Sequence, residues 1–263
     1  MNKYTNMSKI NNYIKKVYYF LHFIFYYSLE LIFPSKIKNY KNIPIIINNF
    51  NRLDYLKRLI ASLEKKGYTN IYILDNVSTY PPLLAYYKTC PYKIFYLKKN
   101  YGYLALWKSE VFKKFKKDFY VYTDVDVVPI EECPDDFMNI FLKALKKHKS
   151  ARKVGFSLRI DNLPDHYKFK SKVIDWEKQF YKDKEDSLLY RAQIDTTFAL
   201  YRPRAKRGTN KNIPMFRTAY PYSAEHLPWY QNSNIISEEE KFYINNLKAP
   251  TMWSEKDKQV LLA

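Results

Sequence analysis

Short apolar runs alternate with helical segments along the first half of the chain, and this alternation limits the fold more than any other feature. The runs are rich in β-branched and aromatic residues and predict strands at Ile43–Asn49, Asn70–Asn76, Lys93–Leu97 and Phe119–Val125. The segments between them carry apolar residues at helical spacing, over Leu53–Gly67, Pro82–Lys88 and Tyr103–Phe115. Repeated strand–helix–strand units predict an α/β fold, with a mostly parallel sheet flanked by helices.

The second half of the chain continues with more widely spaced elements. Its predicted helices are Asp136–Lys147 and a segment near Val173–Tyr181, and its predicted strands are Lys153–Arg159 and Ile194–Arg202. An S-E-E-E pattern begins at Ser237 and is typical of a capped helix start, so we expect one more helix there. Since no internal repeat is visible, we expect one domain over residues 37–263, preceded by a segment of residues 1–36.

The composition favours some partners over others. With 45 basic and 26 acidic residues, the formal net charge is +19, which suits polyanionic surfaces or phosphate-bearing ligands. A codon supply biased towards lysine, asparagine and isoleucine would produce the same excess. The four glycines form no G-x-G-x-x-G motif, so a nucleotide site would have to be built differently. The two cysteines, Cys90 and Cys133, lack zinc-ligand spacing, which favours a reducing, cytoplasmic location.

The N-terminal segment contains the longest apolar stretch, Val17–Phe33, which is preceded by Lys3, Lys9, Lys15 and Lys16. Its histidine, serine and glutamate make it a poor match to a membrane span, which needs about 20 mostly apolar residues. Its tyrosines and lysines favour an amphipathic helix that lies on a membrane surface. The alternative is an ordinary helix packed on the catalytic domain.

Polar residues follow each of the first four predicted strands. They are Asn49, Asn51 and Arg52 after the first strand, Asp75 and Asn76 after the second, Asn100 and Gly102 after the third, and Asp124 and Asp126 after the fourth. Ligands of parallel sheets bind at the carboxyl ends of the strands, so these residues predict a binding site.

The two aspartates at the end of the fourth strand are the candidate metal ligands of that site. In an extended segment side chains two residues apart point the same way, so Asp124 and Asp126 would repel unless a cation lay between them. Carboxylates of this kind suit Mg²⁺ or Mn²⁺, which keep other positions for water and phosphates. An aspartate pair that caps a strand end before Pro129 is the alternative.

The segment PIIINNFNRLDYLKRLIASLEKKGYTNIYILDNVST, followed by N-Y-G at Asn100–Gly102 and D-V-D at Asp124–Asp126, resembles inverting glycosyltransferases of the GT-A fold, above all glycosyltransferase family two. The resemblance covers residues 43–130 well and the remainder loosely. It implies a Rossmann-like GT-A domain with a nucleotide-sugar half over residues 37–130 and an acceptor half over residues 131–263.

The resemblance also implies roles for individual residues. The nucleotide would contact Phe50, Asn51, Arg52, Asp75, Asn76, Asn100, Gly102, Lys108 and Asp124. Asp126 would hold the metal that bridges the diphosphate, with Asp124 facing the ribose or the donor sugar and contributing to the metal site.

The acceptor half offers candidates for a general base and a further metal ligand. Members of the superfamily carry a base about a hundred residues after the D-x-D motif, which points first to Glu225, then to Asp195 and last to Asp161. His226, beside Glu225, would complete the metal shell and favour Mn²⁺. A histidine hydrogen-bonded in an aromatic loop is the alternative.

Together these features predict a metal-dependent glycosyltransferase that moves a hexose from a nucleotide diphosphate donor, UDP-sugar above all, to a glycan or lipid-linked acceptor with inversion. A retaining GT-A transferase is the nearest alternative. A non-catalytic basic protein that binds nucleic acid or a membrane is a third, and it leaves the four polar strand ends unexplained. A nucleic-acid partner is therefore not expected, whereas a peripheral membrane contact is.

Overall fold

The computed structural model describes residues 2–195, 198–207 and 213–247, without the side chains of residues 2–12 and 15. Its helices are α1 (Asn2–Ile32), α2 (Asp54–Lys65), α3 (Pro81–Tyr87), α4 (Ala105–Lys108), α5 (Phe112–Phe115), α6 (Phe137–Lys147), α7 (Lys170–Glu177) and α8 (Glu238–Asn245). Its strands are β1 (Ile45–Asn49), β2 (Ile71–Asp75), β3 (Lys93–Tyr96), β4 (Tyr120–Asp124), β5 (Val127–Pro129), β6 (Lys153–Leu158), β7 (Leu189–Arg191), β8 (Ala199–Tyr201) and β9 (Phe216–His226).

The strands of the described residues form one nine-stranded sheet. Its order is β3-β2-β1-β4-β8-β6-β9-β5, and β7 pairs with β9 off this path. β1 to β4 are parallel to one another, and two antiparallel pairings through β8 bring β6 and β9 into the same direction. Six of these nine strands therefore point one way, which confirms the predicted α/β fold with a mostly parallel sheet.

Helices cover both faces of the sheet because the strands are apolar on both sides. On β1, Ile45 and Ile47 pack in one core with Leu59 of α2 and Phe137 of α6. Ile46, which points to the opposite face, packs in a second core with residues of α4, α5 and α1. A buried parallel sheet needs this double cover, and it leaves the carboxyl ends of the strands as the open edge.

The predicted helix over Tyr103–Phe115 is wrong as one element. A 3-10 turn over Gly102–Leu104 leads into α4, and α5 follows after a break at Ser109. The Ser109 backbone is extended, with φ −107° and ψ 160°, and its hydroxyl donates to the carbonyl of Leu106 at 3.1 Å. A serine that binds its own backbone in this way competes with the helix.

Three strands are missing from the sequence prediction. β5 and β7 have only three residues each, and β9 contains Pro221 and a register shift against β6 between Phe156 and Ser157. Such irregular strands lack a clean period of two. The predicted strand Ile194–Arg202 is shorter, since β8 spans Ala199–Tyr201, and Thr196 and Thr197 lie outside the described residues.

The helix α1 packs on the domain through its C-terminal half. Tyr26 is buried in the second core, and Glu30 accepts hydrogen bonds from Arg202 and Lys149. Among the residues that the structure describes, no helix combines the length and apolar content needed to cross a bilayer.

Candidate functional site

The polar ends of the parallel strands meet at one edge of the sheet. In the register of the ladder, Asn49 of β1 lies opposite Asp75 of β2, and Asn48 of β1 lies opposite Asp124 of β4. The loop after β3 returns to this edge, because the Asn76 side chain donates to the Gly102 carbonyl at 3.1 Å and accepts from the Tyr101 amide at 2.9 Å. The arrangement of strand ends is the one that the sequence predicts.

Asn51 fixes the loop between β1 and α2 against the loop after β2. It is fully buried, with a left-handed backbone (φ 55°), and its Oδ1 accepts from the amides of Thr79 at 2.7 Å and Tyr80 at 3.0 Å. Its own amide donates to Ser78 Oγ at 2.9 Å. Asparagine suits this position because its short side chain tolerates positive φ and can bind nearby backbone. Asn51 thus holds the loops in place.

Asp75 and the N-Y-G loop are also held by local hydrogen bonds. The Asp75 carboxylate accepts from the Ser78 amide and from the Tyr87 hydroxyl, each at 3.1 Å. The Asn100 side chain accepts from the Gly102 amide at 2.8 Å, and Gly102 has a positive φ of 58°. Lys108, at the end of α4, is exposed.

The aspartate pair is arranged differently from the expected extended step. β4 ends at Asp124, and Val125 and Asp126 form a turn before β5 begins. Asp124 Oδ1 accepts from Asn48 Nδ2 at 3.3 Å, whereas Asp126 Oδ2 lies 3.5 Å from His226 Nε2 at the end of β9. The structure therefore brings Asp126 and His226 together, although 100 residues separate them in the chain.

The Asp126–His226 pair has the properties of a partial metal site. Within the described residues, Asp126 Oδ1 and His226 Nδ1 are buried without a hydrogen-bond partner. Burial lowers the pKa of His226, although Asp126 opposes the shift, and the neutral imidazole is the form that binds metals. No group of three metal-binding side chains is assembled in the part of the chain that the structure describes. The pair thus fits a cation that takes its remaining ligands from substrate and water.

The helix α8 packs against the loops that follow β1 and β2, and the sequence does not predict this placement. Arg52 forms a bidentate pair with Glu240, with Nη2 to Oε1 at 3.1 Å, and its guanidinium lies 3.6 Å from the centre of the Tyr243 ring. Glu239 accepts from the amides of Leu53 at 2.8 Å and Asp54 at 3.1 Å, at the start of α2. Two carboxylates of α8 therefore occupy the cationic and amide groups beside the predicted nucleotide pocket.

Phe50 also contacts α8, since its ring centre lies 6.1 Å from that of Tyr243 in an edge-on arrangement. The sequence signal for α8 was the S-E-E-E pattern, and Ser237 does cap the helix by accepting from the Glu240 amide at 3.1 Å. That pattern predicts the helix but not the surface on which it packs.

The predicted base Glu225 leaves β9 on the face opposite to His226. β9 pairs with β5 so that His226 lies opposite Val127 and Glu225 opposite Val128, and adjacent side chains of a strand alternate between faces. Glu225 Oε1 accepts from Asn162 Nδ2 at 3.5 Å. Ser223, on the same face as Glu225, borders a cavity of 260 Å³ whose walls include Arg159, Tyr181, Tyr190 and Tyr220.

The other two base candidates form ion pairs. Asp195 Oδ1 lies 2.5 Å from Arg207, whose guanidinium packs over the Tyr103 ring at 4.3 Å. Asp161 is exposed and accepts from Arg159 at 3.0 Å, and it borders the same cavity as Ser223. Within the described residues, neither aspartate forms a hydrogen bond or an ion pair with Asp126 or His226.

No family model matches the chain, and no curated protein is similar to it in sequence. Many solved structures overlap with parts of its fold, among them the following three. A mannosyltransferase from Pyrobaculum calidifontis, in complex with GDP-Man and Mn²⁺, is 13% identical over 72% of this chain and 54% of its own, with a TM-score of 0.38. Glucosyl-3-phosphoglycerate synthase from Mycobacterium tuberculosis, in complex with phosphoglyceric acid, is 11% identical over 61% of this chain and 56% of its own, with a TM-score of 0.40.

The third structure, GalNAc-T7 with UDP, GalNAc and Mn²⁺, is 12% identical over 67% of this chain and 42% of its own, with a TM-score of 0.42. The chain spans about half the length of these proteins. What they bind is a property of those proteins, and the function of this chain rests on its own residues.

Proposed function

We propose that this chain is a metal-dependent GT-A glycosyltransferase, which transfers a hexose from a UDP-sugar to a glycan or lipid-linked acceptor with inversion. The observation that carries the proposal is the Asp126–His226 pair, 3.5 Å apart, at the same sheet edge as the polar ends of β1, β2 and β4. Ligands of parallel sheets bind at this edge. A scattered set of surface residues would not gather at one edge of the sheet.

The donor nucleotide would lie along the ends of β1 to β4. Asp75 and Phe50 would face the base and ribose, while Asn51 and Asn76 keep the two surrounding loops in position. The remaining members of the predicted set are Arg52, Asn100, Gly102, Lys108 and Asp124. Arg52 follows β1 and would offer a cation to the diphosphate, and it now binds the carboxylate of Glu240.

Asp126 and His226 would hold a divalent cation, Mn²⁺ or Mg²⁺, with Asp124 beside the donor sugar. The bound cation would neutralise charge on the departing nucleoside diphosphate. Asp126 contributes a buried, unpartnered carboxylate oxygen, and His226 is kept neutral by burial. An imidazole next to a carboxylate favours Mn²⁺ over Mg²⁺.

The acceptor would lie near Glu225, which accepts the proton of the attacking hydroxyl in this proposal. The neighbouring cavity of 260 Å³ is lined by three tyrosine rings together with the charged side chains of Arg159, Asp161 and Lys178. Glu225 is preferred over Asp195 because Asp195 is paired with Arg207 at 2.5 Å. A carboxylate held in an ion pair is less free to reach the acceptor hydroxyl.

A donor panel with mass analysis of the products tests the proposal. We expect release of nucleoside diphosphate from a UDP-sugar when Mn²⁺ is present, and none when EDTA is added. Salt-sensitive binding to RNA without turnover of any donor would instead favour a non-catalytic basic protein.

Glu225→Gln separates the inverting from the retaining mechanism. We expect a loss of turnover of at least about 100-fold, because general base catalysis contributes that much or more, and an unchanged KM for the donor. Asp183→Asn, an equally conservative change at an exposed aspartate 4.0 Å from Arg191, is the control. Full turnover in Glu225→Gln, with retained configuration at the anomeric carbon of the product, would contradict inversion.

A further inference from the structure

The helix α1 uses one narrow face to bind the domain. The residues of this face are Tyr19, His22, Tyr26, Leu29 and Glu30, which recur at three- and four-residue spacing and are buried or half-buried. Tyr26 is 4% exposed and packs in the second core, and Glu30 is held by the buried guanidinium of Arg202 and by Lys149. The orientation of α1 on the domain is therefore fixed.

The outward face of α1 is apolar and exposed to solvent. Its large apolar side chains are all at least 39% exposed: Tyr13, Ile14, Val17, Tyr18, Phe20, Leu21, Phe23, Ile24, Phe25, Tyr27, Leu31 and Ile32. Among the described side chains of α1, the exposed polar ones are Lys16 and Ser28. A continuous apolar face of this length on one helix marks an interaction site.

The outward face ends in a basic patch. Phe33, 52% exposed, follows α1 directly, and the guanidinium of Arg204 lies 4.6 Å from the centre of its ring. Arg204 and Lys206 are exposed, and Lys36 and Lys38 follow on the same connection. Cations beside an apolar surface complement the anionic headgroups that border the acyl region of a bilayer.

We propose that the outward face of α1, together with this basic patch, docks in the plane of a bilayer surface that contains anionic lipids. Its six large aromatic residues between Tyr13 and Tyr27 suit the headgroup boundary, where amphipathic rings are enriched. A second copy of the chain is a weaker fit, because each copy carries the same formal charge of +19. The inference does not depend on the proposed enzymatic activity.

Co-sedimentation of the full chain with vesicles tests the docking surface. The vesicles contain phosphatidylcholine with or without one quarter phosphatidylglycerol, and the variant is Phe20→Gln/Leu21→Gln/Ile24→Gln, since glutamine keeps the helix propensity. Transfer of one large apolar side chain from water is worth about tenfold in partition, so we expect at least a 100-fold loss of binding from three. Circular dichroism verifies that α1 remains helical in the variant.

Trp176→Gln/Ile235→Gln is the matched control. These two residues are 45% and 73% exposed and lie outside α1, so their replacement removes apolar surface but leaves the proposed face intact. We expect wild-type binding to mixed vesicles for this control, and we expect added salt to weaken the binding. Equal vesicle binding by the wild type and the α1 variant would overturn the proposal. So would a dimeric wild type that becomes monomeric in the α1 variant while neither protein binds vesicles.

Discussion

Glu240→Gln removes the charge that α8 offers to Arg52, while it keeps the size of the side chain. The two partners are largely buried, with side-chain exposures of 16% for Glu240 and 7% for Arg52. No residue of α8 is fully buried, and the helix has only eight residues. Isolated helices shorter than about 12 residues are marginal in water, so α8 is ordered by its contacts with the domain.

The expected loss of docking free energy for α8 follows from the bidentate contact between Arg52 and Glu240. A hydrogen bond to a charged group contributes about 1.5–3 kcal/mol. The glutamine keeps one acceptor oxygen for the charged guanidinium of Arg52 but loses the second hydrogen bond and the ion pair, and breaking a buried ion pair costs about 3–5 kcal/mol. We therefore expect the docking of α8 to weaken by about 3 kcal/mol. Since 1.4 kcal/mol corresponds to about a tenfold change, the population with α8 detached would rise by about 100-fold.

Hydrogen exchange of the peptide that contains α8 measures this population, because local opening limits the exchange of its amides. The matched control is Glu238→Gln, the same change in the first turn of the same helix. Its side chain is 85% exposed and forms a surface ion pair with Lys241. We expect the control to change the hydrogen-exchange rate of the α8 amides by less than about threefold. An equal acceleration in both variants, or none in Glu240→Gln, would refute the docking role of the Arg52 pair.

Three further predictions test the scaffold by denaturant unfolding. Asn51→Ala leaves two backbone amides without their acceptor and places alanine at φ 55°, so we expect the free energy of unfolding to fall by about 3 kcal/mol. Asn51→Gly should lose about 1 kcal/mol less, because glycine tolerates positive φ. Gly102→Ala should lower the free energy of unfolding by about 1 kcal/mol, because alanine is strained at a φ of 58°. Gly155→Ala should lower it clearly more, because the new Cβ would lie 2.5 Å from the Phe198 carbonyl oxygen. Burial holds the pKa of Lys153 well below that of an unfolded lysine, so the folded state binds fewer protons and loses stability as pH falls towards that pKa. The difference in free energy of unfolding between the wild type and Lys153→Met should therefore change by about 1.4 kcal/mol per pH unit. Parallel stability–pH profiles of the two proteins would contradict this prediction.

The sequence predicts the parallel half of the fold because its signals are local. β1 and β2 are β-branched runs, and α2 has apolar residues at helical spacing between them. In parallel strands the position of each carboxyl end follows from the direction of the chain, so the edge that holds Asn49, Asp75 and Asp124 is predictable as well.

The sequence could not predict contacts that depend on tertiary packing. Glu240 and Arg52 are 188 residues apart, and nothing in S-E-E-E indicates which cation the helix will meet. The turn at Asp126 likewise depends on the pairing of β5 with β9. Pro221 interrupts the alternating pattern by which the sequence would have predicted β9. That pairing, rather than an extended step from Asp124, determines which histidine lies beside Asp126.

Calorimetric titration with UDP tests the central claim, which is that Asp126 and His226 hold a cation at the nucleotide site. We expect wild-type protein to bind UDP in the presence of Mn²⁺, and Asp126→Asn to lose about 100-fold in affinity, since it loses a proposed metal ligand. Asp183→Asn, at an exposed aspartate beside Arg191, should bind like the wild type. Unchanged Mn²⁺-dependent UDP binding by Asp126→Asn, or wild-type binding unaffected by EDTA, would contradict the claim.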